Sequence, residues 1–447
     1  MTYEETRAWL WSLIDFERQP PATRSPYKLD RMRALLARLN NPQDAVPTIH
    51  ITGSKGKGST ASIIESVLRA AGYQTALYTS PHLHTERERI QLAGRAISPE
   101  YLAHCAEQVR RAAEQLEGLT FFEAITAIAF LAFAEAAVDV AVIEVGLGGT
   151  LDATNTISRP LVSIITPISL EHTHILGDTH ALIARDKAGI IKPGRPVVVA
   201  PQVEEAWREI ANAAQRQNAP LVDVAREWVW ARRALSLRGQ TIALRHRTRA
   251  EWAWDDLPFA LLGAHQLVNA ATAVAALTTV REEGALTWDD DALRAGLAHV
   301  RWPARTEVLN ARPFVLVDGA HNDASAQALA ETLRDLALNG GVSWDRLWMV
   351  FGVSADKDVE AIVRPLRPFA TGWIATQARH PRAMPAPRLA ERLTAALDPL
   401  AVVLPAPDVQ TAFTNALDMA GEDGAVIVTG SLFVAAEARA LWYNIRP

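Results

Sequence analysis

Short runs of β-branched and aliphatic residues alternate along this chain with longer stretches whose apolar positions recur every three or four residues. "VPTIHIT" (46–52) predicts a buried strand, and "STASIIESVLRAAG" (59–72) a helix closed by Gly72. "TALYTS" (75–80), "VDVAVIEVG" (138–146), "PLVSIITPI" (160–168) and "PVVVAP" (196–201) predict further strands, with helices over 99–117 and 122–137. Alternation of this kind predicts βαβ units and a mainly parallel sheet. Between 227 and 262 the texture changes. "EWVWARRALSLRGQTIALRHRTRAEWAW" alternates and carries a Gly-Gln turn, which predicts antiparallel strands; helices follow at 265–283 and 289–300.

"RWPART" (301–306) reads as a linker, because Trp302-Pro303 interrupts a helix. Beyond it "FVLVDGA", "RLWMVFGV", "GWIATQ", "AVVLP" and "AVIVTGS" predict strands separated by amphipathic helices, a second doubly wound unit. The expectation is an α/β chain of two domains, 1–302 and 303–447, the second Rossmann-like. The length of 447 residues suits two or three cores, and 49% hydrophobic with 21% charged residues suits a soluble globular protein. A net charge of −5 gives no reason to expect nucleic acid as a partner. The lone cysteine, Cys105, allows no intramolecular disulfide. The acidic start "MTYEETRAWLW" is no signal peptide, and no apolar run reaches the roughly 18 residues of a membrane helix. A cytoplasmic protein with no membrane partner is expected.

The chemistry begins at "GSKGKGST" (53–60), between a predicted strand and a predicted helix. The usual phosphate loop reads G-x-x-x-x-G-K-[ST], whereas here Lys57 precedes the last glycine, Gly58. Gly53, Gly56 and Gly58 would let backbone N–H groups approach phosphate, Lys57 would add charge, and Ser59 or Thr60 would meet a metal. A glycine turn with a solvated lysine is the alternative. Ser80, Glu144 and His172 fall at or after strand ends, where a doubly wound sheet opens its ligand crevice. Together they would suit Mg²⁺, which keeps few protein ligands; singly, each reads as a cap, an ion pair or a loop histidine.

These runs, with "LYTSPHL", "FFEAITA", "VIEVGLGGTLDATN", "LEHTHILGDT", "ARDKAGIIKPG", "HQLVNAATA", "WPAR", "VDGAHN", "ADKD" and "VTGSLF", occur in family order from about residue 26 to 440. On them the chain resembles folylpolyglutamate synthase/dihydrofolate synthase of the Mur ligase superfamily. The resemblance implies an N-terminal P-loop ATPase-like domain carrying a G-x-x-G-K-G-S loop. Gly56, Lys57, Gly58 and Ser59 would cradle ATP phosphates, and Ser80, Glu144 and His172 would hold magnesium. Asn269, Arg305, Asp318 and His321 would complete the ATP site, and Lys187 matches a lysine carbamylated in the family. Lys57, Lys187 and His172 would serve catalysis. Thr120, Phe121, Phe122 and Glu123, with Leu151, Asp152 and Ala153, would contact folate. The implied partners are ATP, L-glutamate and dihydropteroate or tetrahydrofolate polyglutamates, handled by a monomer through an acyl phosphate.

Three positions depart from the family pattern: Ser54-Lys55 in place of Thr-Asn, Thr150 in place of arginine, and Glu171 in place of aspartate. The second bears on the balance between the two synthase activities. Two rivals remain. A peptidoglycan-precursor Mur ligase would need a UDP-sugar domain before its loop, where 52 residues precede Gly53. A non-catalytic nucleotide switch would need neither Lys187 nor the split set Asn269, Arg305 and Asp318.

Overall fold

The computed structural model describes residues 1–17 and 29–445; the first residues of the matching stretch, from about 26 to 28, lie outside them. The first sheet has eight strands: β1 (Thr48–Thr52), β2 (Thr75–Tyr78), β3 (Ile90–Leu92), β4 (Arg95–Ala96), β5 (Val140–Glu144), β6 (Val162–Ile165), β7 (Val197–Val199) and β8 (Leu221–Asp223). Their order is β4-β3-β2-β5-β1-β6-β7-β8. All neighbours are parallel except β2–β3 and β3–β4. The sheet is therefore mixed at one edge, where β3 and β4, three and two residues long, are too short to be read as strands.

β1 sits among the central strands, and its alternation divides the interior. Ile49 and Ile51 join a core with Ile63, Ile64 and Val67 of the helix Lys57–Ala70, while His50 faces the other way. The opposite core is built on the helix Phe121–Glu135, apolar nearly all round and buried accordingly. The predicted antiparallel segment forms β9 (Trp228–Ser236), β10 (Gly239–His246) and β11 (Ala253–Phe259), a three-stranded sheet covering the first core.

The third sheet comprises β12 (Glu307–Ala311), β13 (Phe314–Val317), β14 (Leu347–Phe351), β15 (Gly372–Ala375), β16 (Val402–Pro405) and β17 (Ala425–Thr429). Its order is β12-β13-β17-β14-β15-β16, parallel apart from the edge strand β12. Helices cover both faces, forming two separate cores.

Several boundaries differ from the sequence expectation. The helix after β1 starts at Lys57, two residues early, because Gly56 adopts the left-handed conformation (φ 86°) and caps it. The helix expected over 99–117 ends at Ala112, followed by left-handed Gln115 and Gly118. Among the described residues, no helix is long and apolar enough to cross a membrane.

Candidate active site

The loop 53–58 gathers groups from three distant segments. Its start is pinned by the Pro167 carbonyl, which accepts from the N–H groups of Ser54 and Lys55 at 3.0 and 3.1 Å. A Cβ at Gly56 would overlap the Asn269 carboxamide, and one at Gly58 would overlap the Trp302 indole. The spacing G-x-G thus serves close approach of the helix Ala264–Glu282 and the linker to the loop. Lys57 occupies the first helical position and its Nζ donates to the Gly53 carbonyl at 3.0 Å. Free N–H groups at a helix start beside an ammonium form an anion site. Ser59 and Thr60 are buried behind it, and among the described residues Thr60 Oγ1 has no hydrogen-bond partner.

Ser80 and Glu144 come together: the Ser80 N–H donates to Glu144 Oε2 at 3.1 Å. Burial raises the pKa of Glu144, opposed by Lys57, Arg305 and Arg89. His172, at the start of the short helix after β6, is exposed and adopts the left-handed conformation (φ 47°). Its ring reaches solvent on one side. Loss of hydration on the protein side, with Lys57, Lys187 and Lys357, pushes its pKa down to about 4 against the pull of Glu171. The downward shift favours the neutral imidazole, the form that binds a metal. Among the described residues no three His, Cys, Asp or Glu side chains converge as a metal cluster. A donor set of one carboxylate, one hydroxyl and one imidazole fits an ion that takes its remaining ligands from phosphate and water.

Lys187 is almost fully buried, its Nζ 2.8 Å from the Gly53 carbonyl oxygen and 3.2 Å from Glu171 Oε1. Burial, and secondarily Lys57, pushes its pKa down to about 8 despite Glu171. Glu171 answers Lys57, Lys187 and Lys55, which together hold its carboxyl below the usual range despite burial. Lys357, from the loop after β14, adds charge from the third sheet's side to Lys55, His172 and His321. In the sequence Lys55 and Glu171 stand only as departures from the family pattern and Lys357 only within "ADKD"; the clustering of Lys57, Lys187 and Lys55 around the Glu171 carboxylate becomes visible only in space.

On the nucleotide side Asn269 lies in the second turn of the helix Ala264–Glu282. Its Nδ2 donates to Gln266 Oε1 at 2.9 Å, leaving the carboxamide against Gly56. Arg305 lies between two non-glycine residues in the left-handed region, Ala304 (φ 55°) and Thr306 (φ 49°). For a β-branched threonine this conformation costs on the order of 1–3 kcal/mol. It is held by Asp318, whose Oδ2 accepts from the Thr306 N–H at 2.7 Å and whose Oδ1 accepts from the Ala320 N–H at 2.8 Å. Arg305 is thereby aimed at the cleft, close enough to counter the burial of Glu144. His321 lies at the rim, its Nδ1 2.8 Å from the Gly319 carbonyl oxygen.

The folate-side residues divide by role. Thr120 and Glu123 form a capping box at the start of their helix, and Glu123 also receives Arg31 Nε at 2.9 Å. Phe121 is buried and stacks on Trp11, with ring centroids 5.1 Å apart. Phe122 is the partly exposed member, its ring against Gly146 in the loop after Glu144. Asp152 is buried, its carboxylate accepting from the backbone of Leu147 and Thr154, while Ala153 is buried beside it and Leu151 half-exposed. Thr150 is exposed and its hydroxyl donates to the Asp186 carbonyl at 2.8 Å. Sequence reasoning missed Arg89, buried over Phe121, bidentate to Glu17 and donating from Nε to His82 Nδ1 at 2.9 Å.

The third sheet has its own crevice, where β14 and β17 lie side by side with their following helices on opposite faces. Gly352, Ser354, His380, Ser431 and Phe433 line it, His380 stacked on Phe433 at 3.9 Å. Such a switch point is where an open parallel sheet takes a ligand.

Residues 51–277 match the Mur ligase middle domain, and residues 304–432 the glutamate ligase domain of Mur ligases. The chain is 35% identical over 374 residues to the dihydrofolate synthase/folylpolyglutamate synthase of Bacillus subtilis, covering 82% of this chain and 83% of that protein. With the Mycobacterium tuberculosis protein of the same name it shares 35% identity over 453 residues, 94% and 91% of the two. Among solved structures it superposes on Mycobacterium tuberculosis folylpolyglutamate synthase complexed with ADP with a TM-score of 0.87, at 32% identity, covering 100% and 99% of the chains. Escherichia coli FolC in complex with DHPP and ADP gives 0.84 at 30% identity, covering 98% of each.

Proposed function

The chain belongs to the folylpolyglutamate synthase/dihydrofolate synthase family of Mur ligases, and from that premise we propose that it joins L-glutamate to dihydropteroate and to the terminal glutamate of folates at the expense of ATP. The observation that carries the reading is the convergence of Lys57, Glu144 and Arg305 on one cleft from a glycine loop, a strand end and the linker. The acid to be activated is phosphorylated and the amine of glutamate then displaces phosphate, so the site must hold three anions while excluding water.

In this reading Gly56, Lys57, Gly58 and Ser59 cradle the phosphates, Asn269 packs at the loop, and Arg305 closes on the γ-phosphate from the linker. Ser80, Glu144 and His172 would hold magnesium, which would offset negative charge at the phosphates. Lys187 has a buried amine of lowered pKa, which supports capture of CO₂ as a carbamate, since only the neutral amine is nucleophilic. Asp318 sets Arg305, and His321 stands at the nucleotide rim. Phe122, with Thr120, Phe121, Glu123, Leu151, Asp152 and Ala153 behind or beside it, forms the wall for the pterin end. Ser354, His380 and Ser431, with Lys357 on the neighbouring loop, are the polar groups of the third sheet that would meet the incoming amino acid. Catalysis is positioning plus electrostatics, and needs no covalent protein nucleophile. The two domains divide at Trp302–Pro303, so that closure assembles the site.

The test is a substrate panel. Phosphate release with ATP and Mg²⁺ should require both L-glutamate and an acid, and both dihydropteroate and tetrahydrofolate should serve. Release with a UDP-sugar acid instead would make it a peptidoglycan-type ligase. Nucleotide binding with no ligation would make it a switch.

A further inference from the structure

The loop that carries Ser80 does not end in its own unit. Glu88 shapes it, accepting from the N–H groups of Leu83, His84 and Thr85 at 2.8, 3.0 and 3.0 Å. Leu83 packs into a core of the C-terminal unit that contains Val317, Val428 and Val434. Next to it Arg439, on the last helix Leu432–Tyr443, donates from Nη1 to His84 Nε2 at 3.2 Å. The same guanidinium donates from Nε to both oxygens of Glu307, at 2.9 and 3.0 Å. Glu307 in turn accepts from the N–H of Ala304, the left-handed residue before Arg305, at 2.8 Å. One continuous set of contacts therefore runs from the Ser80 loop through His84, Arg439 and Glu307 to the linker. Arg439 and Glu307 are only 18% and 20% exposed, so this is not a solvated surface pair.

We infer that Arg439 is a positioning residue that ties the loop of Ser80 to the linker of Arg305, setting the two halves of the phosphate site against each other across the cleft. The inference rests on the ligase reading of that site. Arginine suits the task because its planar fork serves two partners at fixed angles. A second junction between the units, Arg232 on Asp335 with Leu235 and Leu237 against the core of the third sheet, touches none of the site residues. Loss of Arg439 should therefore leave the units joined and the fold intact.

Arg439→Met, Arg439→Lys and His84→Phe are to be compared with the unaltered chain in glutamate-dependent turnover, in Tm, and in ADP binding by calorimetry with and without Mg²⁺. Arg439→Met should lower kcat about tenfold, the size of effect when a group that aligns reactants is loosened. Its ADP affinity without Mg²⁺ should stay near normal, the tightening by Mg²⁺ should shrink, and Arg439→Lys should recover part of both. No glutamate-dependent turnover by the unaltered chain overturns the ligase reading itself. An active unaltered chain matched by Arg439→Met in kcat and in Mg²⁺-dependent ADP binding overturns the positioning role alone. If Arg439→Met does not fold, His84→Phe decides, since it leaves the Arg439–Glu307 pair in place: a lowered kcat upholds the tie, and an unchanged kcat rejects it.

Discussion

Lys57 stands at the first position of its helix with its ammonium on the Gly53 carbonyl, so it contributes charge to the loop and little to any core. Lys57→Ala should reduce turnover about a hundredfold or more, the loss typical of one donor to developing charge, with Tm nearly unchanged. Near-normal turnover at unchanged Tm would remove Lys57 from the phosphate site. His50 shows a different use of a buried polar side chain. Burial, aided by Lys192, pushes its pKa from 6.5 to about 3, while its Nε2 sits 2.9 Å from Thr154 Oγ1. The folded state holds it neutral, so its contribution is complete above pH 6.5 and is lost as pH falls toward about 3. In that window His50→Gln should flatten the pH dependence of unfolding free energy by about 1.4 kcal/mol per pH unit, one proton's worth. Denaturant titrations across the window measure it; identical slopes for the two proteins would mean His50 takes up its proton in the folded state.

Strands and helices were largely readable, because each core strand is a short β-branched run and each helix repeats its apolar face. What escaped was local. β3 and β4 have five residues between them, and the helix start at Lys57 depends on a left-handed Gly56 that no periodicity reveals. The residues of the candidate site were legible as motifs, but their duties were not. Asp318, expected from the resemblance as a nucleotide contact, has both carboxylate oxygens engaged with the N–H groups of Thr306 and Ala320. Only a folded linker shows that its neighbours lie in the left-handed region and need holding. Asp318→Ala should cost about 1–3 kcal/mol of stability, the penalty for orphaning such donors. ATP affinity should weaken alongside, as Arg305 loses its aim. Weakened ATP binding at full stability would instead make Asp318 a direct nucleotide contact. Glu171, Lys55 and Lys357 were invisible as a group because they come from three segments and meet only around the loop.

At the scale of the whole molecule, the chain divides the labour between sheets. The first sheet presents the glycine loop, Glu144 and Lys187, the third presents a crevice and Lys357, and the linker carries Arg305 between them. An arrangement split in this way suits a reaction whose activated acid must survive until the amine reaches it, because closure excludes water from an acyl phosphate. The fate of the carboxylate oxygen reports on that intermediate directly. If the acid attacks the γ-phosphate and the amine then attacks the acyl carbon, one carboxylate oxygen leaves bonded to phosphorus. Dihydropteroate carrying heavy oxygen in its carboxylate, turned over with ATP and L-glutamate, should therefore release phosphate bearing one heavy atom per molecule ligated, read by mass spectrometry. Ligation accompanied by unlabelled phosphate would contradict the account.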